Sequence, residues 1–279
     1  MSKVYLMGLL TETEAKAAKE VAASTGGVRK VVAIFEIVTP DFLWNIPGQP
    51  ETPRFPAGQS DASPDLAGAL RFEAIIDAAG ERLRLYPDPL GTAFRHAAAR
   101  LHSVDPAMIL VGNGSDDLLT ILIRAFVGPG DTVVYPSPSY ILYKTLVELQ
   151  DGHPVSVPFD REWRLDPAAF AVPGARINFL ANPNSPSGTN LAPEEVSTLA
   201  RRLQGPLVVD EAYANFAETD CVGLVAEHPN VIVTRSLSKG YSLAGLRVGY
   251  LIARAEIVEE LMKVKDSYNC DTLSLAGGT

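Results

Sequence analysis

Val231-Ile232-Val233-Thr234 runs directly into Arg235-Ser236-Leu237-Ser238-Lys239-Gly240-Tyr241-Ser242-Leu243-Ala244-Gly245-Leu246-Arg247. The first four residues are β-branched and read as a short, fully buried strand. Beyond them, one lysine stands among three serines and two glycines. That composition suits a strand end at which the backbone must come close to a ligand.

The same pattern recurs along the chain. Val111-Gly112-Asn113-Gly114-Ser115-Asp116-Asp117, Asn182-Pro183-Asn184-Ser185-Pro186-Ser187-Gly188 and Val208-Val209-Asp210-Glu211-Ala212-Tyr213 each finish an apolar run with small or polar groups. Strands are expected near 132–135, 177–181, 207–210, 231–234 and 248–252. Helices are expected near 92–103, from about Asp116, near 139–150 and over about 192–204. Unbroken apolar strands alternating with helices predict an α/β fold: a three-layer, mostly parallel sheet with helices on both faces. In such sheets ligands collect at the carboxyl ends of the strands.

The N-terminal part reads differently. Residues 3–10 and 28–38 are β-type runs flanking an alanine-rich segment opened by Thr11-Glu12-Thr13-Glu14, a capping-box pattern, and closed by Gly26-Gly27. Residues 1–38 are therefore expected to form a small β-α-β unit. From Thr39 to about Leu66 the composition turns to Pro, Gly, Ser, Asp and Gln, so 39–80 is taken as linker or arm. The main domain then spans 81–279.

Composition narrows the partners. The formal net charge is −9, and no Lys/Arg-rich run occurs, which argues against nucleic acid because phosphate neutralisation needs a basic face. Any anion must be held locally. Cys221 and Cys270 stand far apart and outside any metal spacing, so neither a disulfide framework nor a metal site is expected. No apolar run reaches the roughly 18 residues of a membrane span, and the first residues make a poor signal peptide. The chain reads as soluble and cytoplasmic.

Taken one at a time, the strand-end residues have ordinary explanations. Ser115 or Asp116 could simply cap a helix, Asp210 could be a structural cap, and Lys239 could be solvated. The missing third glycine excludes a dinucleotide fingerprint at Gly112 and Gly114. Taken together they point to one ligand. A helix N-terminus for a phosphate, a buried carboxylate at Asp210, a phenol at Tyr213, hydroxyls at Ser236 and Ser238 and an amine at Lys239 suit a phosphorylated aldehyde with a basic ring nitrogen. Pyridoxal phosphate has those features.

Those residues, with Tyr86-Pro87-Asp88-Pro89, Pro136-Ser137-Pro138-Ser139-Tyr140, Pro183-Asn184-Ser185-Pro186-Ser187-Gly188 and Tyr268-Asn269, fall in the order and spacing of a known family. Over about residues 80–279 the chain resembles the fold-type I pyridoxal-phosphate-dependent aminotransferases, within them the histidinol-phosphate aminotransferase branch. The resemblance implies transfer of an amino group from histidinol phosphate to 2-oxoglutarate, a small-molecule amino donor and a 2-oxo acid. It makes Lys239 the amine that joins the cofactor aldehyde and moves the proton at Cα. Asp210 pairs with the pyridine nitrogen and Tyr213 with the phenolic oxygen, while Tyr140 stacks on the ring. Ser115, Asp116, Ser236, Ser238 and Arg247 hold the phosphate. Tyr86 reaches the phosphate of a neighbouring subunit, which implies a homodimer.

The match has three departures. Where the family has Asn-Asn before Pro-Thr-Gly, with the second Asn on the ring oxygen, this chain has Asn184-Ser185; that register gives Ser185, Asn184 is carried over as the matching residue type, and which of the two faces the ring oxygen stays open. The family's Asn-Glu-Asn-Pro arm is not found before Tyr86. The chain also ends soon after Tyr268-Asn269, where the family continues into a small C-terminal domain carrying the arginine for the substrate carboxylate, so weak or no turnover is expected. Residues 3–38 resemble the second half of a BON domain, a module associated with phospholipid surfaces. Two alternatives stay open: a pyridoxal-phosphate decarboxylase or lyase acting on a phosphorylated amino acid, and an envelope- or lipid-associated binding protein with a vestigial transaminase scaffold.

Overall fold

The computed structural model describes the backbone of residues 3–10 and 30–37 and residues 73–279. The chain divides into two compact units, Met1–Ser63 and Pro64–Thr279. In the first, β1 (Lys3–Leu10) and β2 (Lys30–Ile37) pair in parallel from Lys3 opposite Lys30 to Leu10 opposite Ile37. A parallel pair needs a crossover between its strands. The helix expected there, and most of the linker expected over 39–80, lie outside the described residues. Residues 73–78, counted in that linker from sequence, are helical. Ala74, Ile75 and Ile76 are what makes this stretch unlike a linker, and Ile75 packs toward Gly277 near the end of the chain.

The second unit is built on a seven-stranded sheet. Its strands are β3 (Ile109–Gly112), β4 (Thr132–Ser137), β5 (His153–Pro158), β6 (Ile177–Ala181), β7 (Leu207–Asp210), β8 (Val231–Ser236) and β9 (Gly249–Ile252). They lie in the order β3-β9-β8-β7-β6-β4-β5. β9 runs antiparallel to both of its neighbours, and the other pairs are parallel. This is the mostly parallel sheet read from the sequence.

Successive strand residues alternate between two apolar layers, because side chains on a strand point to opposite faces. Val209, Val233 and Ile252 join one layer with Phe94 and Ala98 of α1 (Thr92–His102) and Val196 and Leu199 of α4 (Pro193–Arg202). Val208, Ile232 and Leu251 join the other with Leu118, Leu119 and Leu122 of α2 (Ser115–Phe126), Tyr143 and Val147 of α3 (Leu142–Leu149) and Val258 and Leu261 of α5 (Ala255–Met262). The last helix is α6 (Thr272–Gly278). β7, β8 and β9 are buried along their whole length, which explains why they read as unbroken hydrophobic runs. β5 is a strand that the sequence pattern does not announce. It sits at the sheet edge, is largely exposed and contains Pro154 and Pro158, which lack the N–H that an inner strand needs.

Strand direction sets what reaches the functional edge. β3, β4, β6, β7 and β8 all end there, while antiparallel β9 begins there, so Arg247 just ahead of β9 arrives beside Ser236 at the end of β8. No helix among the described residues is long and apolar enough to cross a membrane.

Candidate active site

A cavity of about 200 Å³ opens at this edge. It is lined by Ser115 and Asp116 after β3, Tyr140 after β4, Asp210 and Tyr213 at and after β7, and Ser236, Ser238, Lys239 and Arg247 around the β8–β9 connection. Nine of the residues singled out from sequence therefore meet in one place. Two do not. Tyr86 is 81% exposed, stacks on Tyr268 with ring centroids 4.5 Å apart and lies outside this lining. Asn184 also lies outside it, because its amide is committed elsewhere. Its Oδ1 accepts from Ser139 Oγ at 2.7 Å, and its Nδ2 donates to Pro138 O and Ser187 Oγ. Of the two alternatives at this step, Ser185 is the one that lines the cavity.

One end of the cavity is an anion cradle. Gly114 takes φ 81°, a conformation open to glycine, and turns β3 into the N-terminus of α2. A Cβ on Gly114 would lie 2.6 Å from Arg247 Nη2, and one on Gly249 would lie 2.6 Å from Ser115 N. Both glycines thus let the cradle close. Arg247 adopts φ 52°, a left-handed conformation that costs a non-glycine residue about 1 kcal/mol or more. Its Nη1 donates to Ser238 Oγ at 3.3 Å and its Nη2 lies 3.6 Å from Asp116 Oδ2. Ser236 Oγ accepts from Ser238 N at 3.1 Å. N–H groups at a helix start, two hydroxyls and a guanidinium are the donor set a phosphate requires.

At the other end Asp210 is buried with its carboxylate on three donors. Tyr143 Oη donates to Oδ2 at 2.7 Å, while Thr234 Oγ1 and Ala212 N donate to Oδ1 at 3.2 and 3.3 Å. Burial pushes its pKa above the usual carboxylate value, and these hydrogen bonds oppose the shift. Such a carboxylate suits a cationic or N–H partner inside the cavity. Tyr143 and Thr234 are functional neighbours that the sequence reading misses. Thr234 is the register partner of Asp210 on β8, and Tyr143 follows Tyr140 by three residues into α3.

Tyr140 and Tyr213 are the aromatic rings that line the cavity, and buried rings back Tyr140. Tyr143 stacks on Phe179 at 5.1 Å and meets Tyr140 edge-on at 5.7 Å. Tyr140 Oη donates to Asp116 Oδ1 at 3.1 Å, and burial together with that carboxylate pushes its pKa up to about 12. Lys239 Nζ lies 5.5 Å from the centroid of the Tyr213 ring. An amine, a flat aromatic wall, a buried anion and a phosphate cradle thus line a single cavity, and they fit pyridoxal phosphate.

Fold and site together define an α/β protein that holds an anionic, planar ligand at its strand ends beside a lysine. Residues 60–277 match the aminotransferase class I and II family, and the chain belongs to that family. It is 46% identical over 238 residues to histidinol-phosphate aminotransferase of Rhodopirellula baltica, covering 84% of this chain and 66% of that protein. It is 44% identical over 215 residues to histidinol-phosphate aminotransferase 1 of Trichormus variabilis, covering 77% and 61%. The chain thus spans somewhat less than two thirds of the length of these relatives.

Among solved structures, histidinol-phosphate aminotransferase from Sinorhizobium meliloti in complex with pyridoxal-5'-phosphate matches with TM-score 0.70 and 31% identity over 75% of this chain and 59% of that one. L-threonine-O-3-phosphate decarboxylase from Porphyromonas gingivalis matches with TM-score 0.66 and 22% identity over 75% and 66%, a likeness of fold alone. The family match begins at residue 60, so the resemblance of residues 3–38 to a BON domain gains nothing from it.

Proposed function

We propose that this chain carries the cofactor-binding machinery of a pyridoxal-phosphate-dependent aminotransferase of the histidinol-phosphate type. In this reading it exchanges amino and keto groups between histidinol phosphate and 2-oxoglutarate, in the cytoplasm and as a homodimer. The convergence of Lys239, Asp210 and the Ser115–Arg247 cradle on one cavity carries the reading, and relatives above 40% identity supply the substrate class. Tyr86 supports the dimer: an 81% exposed tyrosine outside its own cavity is available to a neighbouring subunit.

Pyridoxal phosphate, when bound, supplies a reactive aldehyde and a protonated ring that draws electrons away from the substrate Cα. The protein's part is binding, orientation and proton movement. The first turn of α2, Ser236, Ser238 and Arg247 would hold the phosphate. Asp210, as an anion, would keep a proton on the ring nitrogen, and its three donors hold that carboxylate in place. Tyr213 would donate to the phenolic oxygen, Tyr140 would cover the ring face, and Lys239 would supply the amine for the aldehyde and the base for the proton at Cα.

Addition of pyridoxal phosphate to the purified chain tests this directly. The wild type is expected to develop a visible absorbance band that borohydride fixes irreversibly onto Lys239, and Lys239→Ala to develop neither. Identical spectra for the two proteins would end the cofactor reading. Bleaching of the band by histidinol phosphate, with formation of pyridoxamine phosphate, tests the substrate.

A further inference from the structure

The anion cradle is braced from outside the cavity. Asp117, in the first turn of α2, accepts Asn113 N on Oδ2 at 2.9 Å, which fixes the turn leading to Gly114 and Ser115. The same Oδ2 accepts Asn269 Nδ2 at 2.8 Å, and that amide also reaches Val111 O at 3.3 Å. Asn269 is itself held, since Lys265 Nζ donates to its Oδ1 at 3.1 Å and to Asp266 O at 2.6 Å. Lys265 is 9% exposed, and burial lowers its pKa, while Asp117 and Cys270 favour its charged form.

The arrangement is costly to build. Burying an ammonium needs compensation, and a carboxylate in the turn that receives an anion is unfavourable by itself. The hydrogen bonds within the network offset part of both costs, and their geometry fixes the turn. Asp117 orients Asn113 only as well as Asn269 orients Asp117, and Lys265 fixes the remaining freedom of the Asn269 amide. None of these four residues lines the cavity.

We propose that Asn269, with Lys265 behind it, is a positioning residue for the anion cradle, so that affinity for the phosphate end of a ligand is set in part by the segment between α5 and α6. This rests on the cofactor reading above and goes beyond it in assigning work to residues remote from the ligand. The effect is specific in kind. Loosening the turn weakens contacts made by Ser115 N and its neighbours and leaves Asp210, Tyr213 and Lys239 untouched.

The test compares three probes on the full chain: pyridoxal phosphate, pyridoxal, which lacks the phosphate, and inorganic phosphate by calorimetry. For Asn269→Ala we expect affinity for pyridoxal phosphate and for inorganic phosphate to fall together, about tenfold, with pyridoxal binding unchanged. Lys265→Met should move the same two probes in the same direction by less, and it keeps the test open should Asn269→Ala fail to fold. Equal losses for pyridoxal and pyridoxal phosphate would mean general loosening and would overturn the proposal, as would unchanged phosphate affinity in both variants. The two readings fail separately. Should the wild type show no lysine-bound absorbance while phosphate binding still depends on Asn269, the cofactor reading falls and the bracing stands.

Discussion

Replacing Tyr143 by phenylalanine removes one hydroxyl from beneath Asp210 and leaves the aromatic packing on Phe179 in place. The hydroxyl donates at 2.7 Å to a carboxylate, and both groups are buried, so no water can substitute for it. A hydrogen bond to a charged acceptor contributes about 1.5–3 kcal/mol, which corresponds to a further rise of about one to two pKa units at Asp210. Burial already holds that carboxyl above its usual value. A group raised in this way favours the folded state in its protonated form, and that contribution is lost as pH climbs through the folded value. In Tyr143→Phe the loss begins at the same unfolded value and extends further. The destabilisation should therefore be small in acid and grow to about 2 kcal/mol once pH exceeds the folded value of Asp210. Urea unfolding of wild type and variant without cofactor, across a series of pH values, measures it. A penalty of constant size at every pH would refute the claim that the phenol serves the carboxylate.

Three other outcomes are expected. Gly249→Ala brings a Cβ within 2.6 Å of Ser115 N and 2.9 Å of Arg235 O, both backbone atoms, so it should cost about 1–3 kcal/mol in thermal stability and weaken phosphate binding. Arg247→Met removes the guanidinium beside Ser238 and Asp116, and should reduce pyridoxal phosphate affinity while flattening its dependence on salt, measured by titration at low and high ionic strength. Glu211, buried behind the site and 2.7 Å from Arg235 Nη2, has its carboxyl pushed up to about 7, chiefly by burial. Its folded-state preference for the proton means stability should fall by about 3 kcal/mol between the usual glutamate value and that pH. Glu211→Gln should remove that part of the slope, seen in unfolding curves across the window.

How much is legible in the sequence depends on where each signal resides. β7, β8 and the residues after them are legible because burial on both faces writes an unbroken apolar run, and the polar residues ending it stand out. Lys239, Asp210 and Arg247 belong to that class. Tyr143 and Thr234 are not legible, since their importance comes from what they meet in space: Thr234 through strand register with Asp210, Tyr143 through the reach of its hydroxyl from α3 to the same carboxylate. Asn184 shows the converse. Its residue type matches a ligand contact, yet the loop turns it toward Pro138 and Ser187 and leaves Ser185 at the cavity. β5 escapes notice because an edge strand carrying prolines lacks both the burial and the donor pattern of an inner one. The bracing by Asn269 joins residues more than 150 positions apart, a distance no local pattern spans.

The lone reversal of direction at β9 has a consequence for how this site is anchored. Since β8 and β9 are antiparallel neighbours, Lys239 and Arg247 ride on one hairpin whose base is pinned by the pairing of Ser236 with Gly249. On the proposed reading, the covalent and the ionic anchor of the ligand therefore share one hairpin within residues 231–252, with their spacing set by that pairing. Asp210 and Ser115 come to the cavity from outside that hairpin.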